Sequence, residues 1–149
     1  SMTYYNFYVY IILFCVISAL VHFMIKDVLG KCMLPHYLLT TQILLTTIFI
    51  AWYLLFTKYS FSDCIQYFKT HPIVFFQIIG IAFLIFLCIL IGDTVLQQES
   101  VLRYSLWKQI GRLFFITFLT YLFVKKELTL SKFFGILIIM GGLFIVETS

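Results

Sequence analysis

Charge is scarce in this sequence of 149 residues, since Asp, Glu, Lys and Arg together make up only 11% of it. A water-soluble domain of this size carries about one quarter charged residues, because much of its surface meets water. Hydrophobic residues account for 63% of the chain and aromatic residues for 20%. The composition excludes a soluble enzyme, a secreted disulfide scaffold and a disordered tail, and it predicts an integral membrane protein.

Motifs for metals, disulfides and nucleic acids are also missing. The four cysteines contain no C-x-x-C pair, so they predict neither a metal site nor a disulfide framework. Although the formal net charge is +4, no basic run exceeds the pair Lys125 and Lys126, which argues against nucleic acid as a partner. The sequence shows no nucleophile with an adjacent base. We therefore expect no enzymatic activity and no cofactor.

The sequence contains long apolar stretches. Five of them reach the roughly 17 to 25 residues that a helix needs to cross a bilayer. They cover residues 7–25, 37–57, 73–92, 100–124 and 128–146. Barrel strands are excluded, because the stretches show no period of two and are about twice too long. We expect one domain over residues 1–149, an all-α membrane protein built as a bundle of five transmembrane helices, with tight turns at residues 93–99 and 125–127.

The lysines and arginines near the span ends give a weak signal of orientation. With an odd number of spans, the side of the amino terminus collects five lysines, and the other side collects two lysines and one arginine. By the positive-inside rule the amino terminus is cytoplasmic, but so small a bias leaves insertion in both orientations open.

The fourth span carries polar residues deep inside it. At about 100° per residue, four of them fall within a wedge of roughly 100°, so one helix face is polar. The residues of this face are Ser105, Lys108, Gln109 and Arg112. Arg112 lies roughly 18 Å below the start of the span, near the middle of a hydrocarbon core about 30 Å thick. A charge there costs at least about 2.5 to 3.5 kcal/mol and requires water or an acidic partner.

Two interpretations of the cations in this span stay open. In the first, Asp93 and Glu99 neutralise Lys108 and Arg112 in structural ion pairs. In the second, the two cations, one turn apart, line a cavity that binds an anion. The two interpretations differ in whether the carboxylates or a ligand supply the negative charge.

The first span holds a titratable residue on a polar stripe. Ser18, His22 and Lys26 stand at i, i+4 and i+8 and therefore share one face. A histidine there can titrate near neutral pH and relay a proton, or it can hydrogen-bond a neighbouring helix. His22 is therefore a candidate proton carrier.

The fifth span contains spaced glycines. Gly135 and Gly142 lie two turns apart on one face, and small residues in that pattern let two helices approach closely in lipid. They predict either packing within one subunit or an interface between subunits.

The last third of the sequence resembles the drug/metabolite transporter superfamily. The resemblance rests on residues 104–111 (YSLWKQIG), on residues 121–130 (YLFVKKELTL) and on the glycine-spaced helix that follows them. Within that superfamily the chain is similar to one EamA-type half, a five-span unit that is duplicated in ten-span members. It is also similar to the small multidrug resistance transporters, which have four spans and work as antiparallel dimers.

The resemblance to the small multidrug resistance family implies roles for four residues. Tyr104 and Trp107 fall where that family places its substrate-contacting Tyr and Trp, and Gly135 and Gly142 fall on its dimerising glycines. The resemblance therefore implies a homodimer, in a parallel or an antiparallel arrangement.

The sequence departs from that family where the family binds cations. The first-span glutamate that binds protons and cationic drugs is replaced by Ser18, and Lys108 and Arg112 stand where the drug exporters carry small or aliphatic residues. These departures argue against a cationic-drug antiporter and favour an anionic or zwitterionic solute.

We therefore expect a membrane transporter of a small organic metabolite, with a pathway formed by a homodimer in the lipid bilayer. The residues expected to line the pathway are Asp93, Tyr104, Trp107, Lys108 and Arg112. The alternatives are a membrane subunit or chaperone that does not transport and uses its polar face to hold a partner helix, and a small channel.

Overall fold

The computed structural model describes residues 3–124 and 129–148, and all regular structure within them is helical. The described helices are α1 (Tyr4–Leu29), α2 (Leu34–Phe56), α3 (Phe61–Thr70), α4 (Pro72–Gln98), α5 (Val101–Phe123) and α6 (Leu130–Thr148). Four of them, α1, α2, α4 and α6, are long and apolar enough to cross a membrane. The prediction of an all-α integral membrane protein is therefore confirmed.

Length and apolar composition identify four spans among the described helices, one fewer than the sequence predicts. The predicted fourth span does form a helix, α5, which is 23 residues long. It differs from the other long helices because Arg103, Lys108 and Arg112 stand in its first half. Its length alone, about 35 Å at 1.5 Å per residue, matches a bilayer core.

One predicted boundary segment is wrong. Residues 93–99 do not form a turn, because α4 continues to Gln98 and includes Asp93. Within this part of the helix, Thr94 Oγ donates to Leu90 O at 2.6 Å. Residues 58–72 contain α3, which the search for long apolar runs overlooked. The expected turn at 125–127 and the expected start of the fifth span at residue 128 lie outside the described residues.

The chain divides into two compact units, residues 1–97 and 98–149. In the first unit the carboxyl-terminal ends of α1 and α4 meet. Leu29 and Leu96 are 4% and 0% exposed, and they are the buried hydrophobic residues of the described chain. Lys26 Nζ donates to the carbonyl oxygens of Leu96 and Gln97 at 2.8 and 2.9 Å. Since the last carbonyls of a helix have no partner within it, this lysine of α1 supplies the missing donors for α4.

The second unit contains α5 and α6 as an antiparallel pair. Arg103 at the start of α5 donates from Nε to Glu147 Oε1 at the end of α6, over 3.1 Å. Toward the other end of the pair, an apolar cleft of about 580 Å³ lies between the two helices. Its lining includes Phe114, Thr117, Phe118, Phe133, Leu137 and Met140.

Candidate functional site

A capping residue, Ser100, fixes where α5 begins. Ser100 precedes the helix and its Oγ accepts a hydrogen bond from the backbone N–H of Arg103 at 3.2 Å. Serine is a favoured residue at this position, because its side-chain oxygen satisfies a backbone donor that the first turn leaves unpaired. The positions of all later side chains around α5 follow from this start.

One side of α5 is occupied by α6. Arg103 reaches Glu147, while Phe114 and Phe118 line the cleft between the two helices. At about 100° per residue these three residues lie within roughly 60° of one another around α5. They define the α6-facing side of the helix.

The polar side of α5 is the opposite one. Arg112 follows Arg103 by nine positions, which at about 100° per residue turns it through roughly 180° from the α6-facing side. Lys108 lies about 40° from Arg112 on that same side by the same rule. Within the second unit, α6 therefore leaves the cationic face uncovered.

The structure brings two of the predicted site residues together. Lys108 Nζ lies 5.4 Å from the centroid of the Tyr104 ring, one helical turn earlier, and both side chains are half-buried. An ammonium group at this distance from an aromatic face is attracted by the ring electrons, which is worth about 0.5 to 2 kcal/mol. Trp107 remains exposed, with 47% of its surface accessible. Tyr104 and Lys108 thus form a pair, whereas Trp107, four residues after Arg103, falls on the α6-facing side and is not brought to the cationic face.

The first of the two proposed ion-pair partners already has another cation. Glu99 Oε2 accepts from Arg103 Nη1 at 2.8 Å, so this carboxylate is paired at the start of α5. Arg112 is exposed and forms no ion pair or hydrogen bond with any residue in the ranges 3–124 and 129–148. Arg112 therefore has no ion-pair partner among the described residues and can bind an anion that is not part of them.

His22 and Asp93 belong to the first unit. His22 Nδ1 lies 2.6 Å from the carbonyl oxygen of Ser18. Because a carbonyl can only accept, Nδ1 carries a proton and donates here. Asp93 is half-buried within α4 and interacts electrostatically with Tyr37 of α2.

Gly135 and Gly142 lie away from α5. A Cβ atom added at either position would meet no heavy atom of the described residues within 4 Å. Around α6, Gly142 is turned by roughly 180° from Phe133, which lines the cleft. Within the second unit, the close approach of α5 and α6 therefore does not use these glycines.

Three features of the described structure were missed by the sequence analysis. Lys26 donates to carbonyls at the end of α4, and Arg103 pairs with Glu147. The partners in each pair are far apart in the sequence, so no local pattern predicts either pair. The third feature, α3, did have a signal, because Ser60 and Asp63 stand at the spacing of a helix-starting capping box.

The described residues, 3–124 and 129–148, contain no group of three His, Cys, Asp or Glu side chains that could hold a metal ion. Comparisons with protein-family models, with curated proteins and with solved structures found no match to this chain.

Proposed function

We propose that this chain is a membrane transporter that moves a small anionic or zwitterionic metabolite through a pathway formed by a homodimer. The observation that carries the proposal is the cationic face of α5, which lies opposite the α6-facing side and holds Arg112 without an ion pair among the described residues. A cation at this depth of a membrane helix calls for a water-filled path or an anionic ligand.

The proposal includes α5 as a fifth span beside α1, α2, α4 and α6. A helix of 23 residues is long enough, and its α6-facing side from Phe114 onward is apolar. Insertion of its cations is tolerable where they face a wet cavity rather than lipid. An odd number of spans would put the two ends of the chain on opposite sides of the membrane.

The chemistry of the face favours an anion. Arg112 offers a planar fork of donors that fits a carboxylate or a phosphate with two parallel hydrogen bonds. Lys108 adds a second positive charge, held against the ring of Tyr104, which supplies an aromatic wall. Asp93 and His22 complete the proposal as the groups that would accept an ammonium group and a coupled proton.

The homodimer is proposed to close through the glycine face of α6. That face points away from α5 and has open space at Gly135 and Gly142, so a helix of a second copy could approach closely there. An inverted pair would have the in-plane two-fold symmetry seen between the repeats of larger transporters.

Dimer orientation is tested by single-cysteine labelling from both sides of the membrane. Labelling of the amino terminus from both sides supports an inverted pair. If every copy has its amino terminus on one side, the antiparallel arrangement is wrong, while a parallel dimer remains to be tested by cross-linking at Gly142→Cys.

The solute class is tested by thermal stability with a panel of phosphorylated and carboxylate metabolites. A ligand at one hundred times its Kd stabilises the folded protein by about 2.7 kcal/mol through mass action. We expect at least one anion to raise the melting temperature of the wild type, Arg112→Gln to lose that rise, and Arg112→Lys to keep part of it. Indifference of the wild type to every anion, with a large loss of stability in apo Arg112→Gln, would instead support the structural ion pair.

A counterflow assay in proteoliposomes separates transport from its alternatives. A transporter saturates and exchanges solute across the bilayer, a channel does neither, and a membrane subunit or chaperone without transport shows no flux. Anion-dependent stability together with an absence of flux would favour the last of these.

A further inference from the structure

Helix α3 differs from the other described helices in how sharply its two sides are separated. At about 100° per residue, Phe61, Cys64, Ile65 and Phe68 fall within roughly 100° of one another. The opposite side carries Ser62, Asp63, Gln66, Lys69 and Thr70. A short helix with one apolar and one polar side is typical of a segment that lies along a surface between water and an apolar phase.

Contacts at the start of α3 fix the direction of its apolar side. The ring of Phe61 lies 6.2 Å from the ring of Tyr53, which belongs to the last turn of α2. The hydroxyl of Tyr53 also donates to the carbonyl oxygen of Ser60 at 3.0 Å. The apolar side of α3 is therefore turned toward the apolar helix that precedes it.

The far end of α3 repeats the arrangement with α4. The ring of Phe68 lies 5.6 Å from the ring of Phe75, in the first turn of α4. Only His71 separates α3 from α4, and its imidazole stacks on Tyr67 with ring centroids 4.4 Å apart. Both ends of α3 are thus bound to the ends of membrane-length helices, and the segment cannot move far from the membrane surface.

Between these contacts the apolar side of α3 is open. Ile65 stands midway between Phe61 and Phe68 and is 57% exposed. Beside the ends of membrane helices, the apolar phase available to it is lipid acyl chains.

Charge around α3 is arranged to suit phospholipid headgroups. The carboxylate of Asp63 accepts from the backbone N–H and from the Oγ of Ser60 at 2.8 and 3.1 Å, so it serves the start of the helix. The cations Lys58 and Lys69 stand at its two ends. Basic side chains at the depth of the phospholipid headgroups are attracted by anionic lipids.

We infer that α3 lies in the headgroup layer of the bilayer, with Phe61, Ile65 and Phe68 over acyl chains and Lys58 and Lys69 beside lipid phosphates. By its contacts with Tyr53 and Phe75, the helix links the lipid surface to the ends of α2 and α4. The partner of this surface is the phospholipid bilayer itself.

The test uses nitroxide labels on the full chain after Cys15, Cys32, Cys64 and Cys88 are replaced by alanine. One label is attached at Ile65→Cys and a matched one at the next position, Gln66→Cys, in vesicles of phosphatidylcholine and phosphatidylglycerol. Oxygen concentrates in the acyl phase and a nickel chelate in water. We expect the ratio of oxygen to nickel accessibility to be severalfold higher at position 65 than at position 66.

Two outcomes would overturn the inference. Equal access of the nickel chelate to both labels would mean that α3 is surrounded by water. Protection of the label at position 65 from both oxygen and nickel would mean that protein, such as a second copy of this chain, covers the apolar side.

The part played by charge is tested with the same label at position 65. Substitution of Lys58→Gln together with Lys69→Gln should raise nickel accessibility in vesicles that contain phosphatidylglycerol and leave it unchanged in phosphatidylcholine alone. Lys31→Gln, which removes a lysine outside α3, serves as the control and should change neither. An identical response in both lipids would show that headgroup charge does not hold the helix.

Discussion

Helices α4 and α5 follow one another in the chain and differ in where their charged residues lie. In α4, 27 residues long, the first charged side chain is Asp93, near the carboxyl-terminal end, and the residues before Asp93 are apolar apart from Gln77. In α5 the cations come early, at Arg103, Lys108 and Arg112, and the second half is mostly apolar. One helix confines its ionisable group to an end, and the other carries charge to its middle.

The difference separates charged residues that have protein partners from those that are candidates for a function. The polar groups at the end of α4 are satisfied by nearby protein groups, with Lys26 donating to two of its last carbonyls. At the start of α5, Arg103 is similarly satisfied by Glu99 and Glu147. Of Lys26, Arg103 and Arg112, only Arg112 has no such arrangement in the described residues, and the proposed pathway is placed at Arg112 for this reason.

The largest effect is expected when α4 is made to resemble α5. Phe83 lies near the middle of α4 and is 60% exposed, so Phe83→Arg would place a cation in lipid without a wet cavity. The expected cost of insertion is about 2.5 to 3.5 kcal/mol. The fraction of chains with α4 fully inserted, measured by glycosylation mapping, should fall sharply, while Phe83→Leu should insert like the wild type. Normal insertion of Phe83→Arg would show that α4 also borders water.

The long helices themselves could be predicted from the sequence, because apolar runs of membrane length have few alternatives to helix. The end of α4 could not, since Asp93 and Gln97 have the composition of a turn, and the residue that supports this end, Lys26, is 70 positions away from Leu96. Helix α3 is only 10 residues long and is revealed by its periodicity and its cap rather than by mean apolarity.

The candidate site was predictable to the extent that it depends on one helix. The spacing of Tyr104 and Lys108 places them on adjacent turns, and the structure joins them. The side of α5 that α6 covers depends on Arg103 and Glu147, which are 44 positions apart, and no local pattern gives that pairing. The proposed roles of Trp107, Arg112, Asp93 and His22 stay predictions.

The comparison is reversed when α5 is made to resemble α4. If Arg112 faces a pathway, Arg112→Leu should not impair insertion, since no carboxylate of the described residues loses its partner and a cation in a wet cavity adds little to the cost of insertion. The variant should therefore insert at least as well as the wild type and lose anion-dependent stabilisation. Glycosylation mapping of α5 and thermal unfolding measure the two effects. A variant that inserts poorly would reveal a hidden ion pair and remove the argument for a pathway.

A smaller effect is expected at the polar end of α4. Lys26→Met keeps the length of the side chain and removes the donor to two carbonyls, and a hydrogen bond to a charged group contributes about 1.5 to 3 kcal/mol. We expect a loss of about 2 kcal/mol in the free energy of unfolding, measured in detergent by denaturant titration. The control is Lys31→Met, because Lys31, just after the end of α1, pairs with exposed Asp27 of α1 at 3.1 Å. Equal losses in the two variants would mean that Lys26 does not hold the end of α4.

The smallest effect is expected at Arg103, the cation of α5 that already has two carboxylate partners. Glu147 is 28% exposed and bonds Arg103, whose side chain is 52% exposed and keeps Glu99 as a second partner. Glu147→Gln should therefore lower stability only slightly, because water competes for exposed ion pairs and a remaining carboxylate still neutralises the arginine. A double-mutant cycle with Arg103→Gln isolates the pair, and its coupling should shrink further between 50 mM and 500 mM salt. A coupling that is large and independent of salt would place Arg103 in a dry environment. The environments of Arg103 and Arg112 would then differ less than the comparison requires, and an ion pair alone could no longer distinguish the structural cation from the one assigned to the pathway.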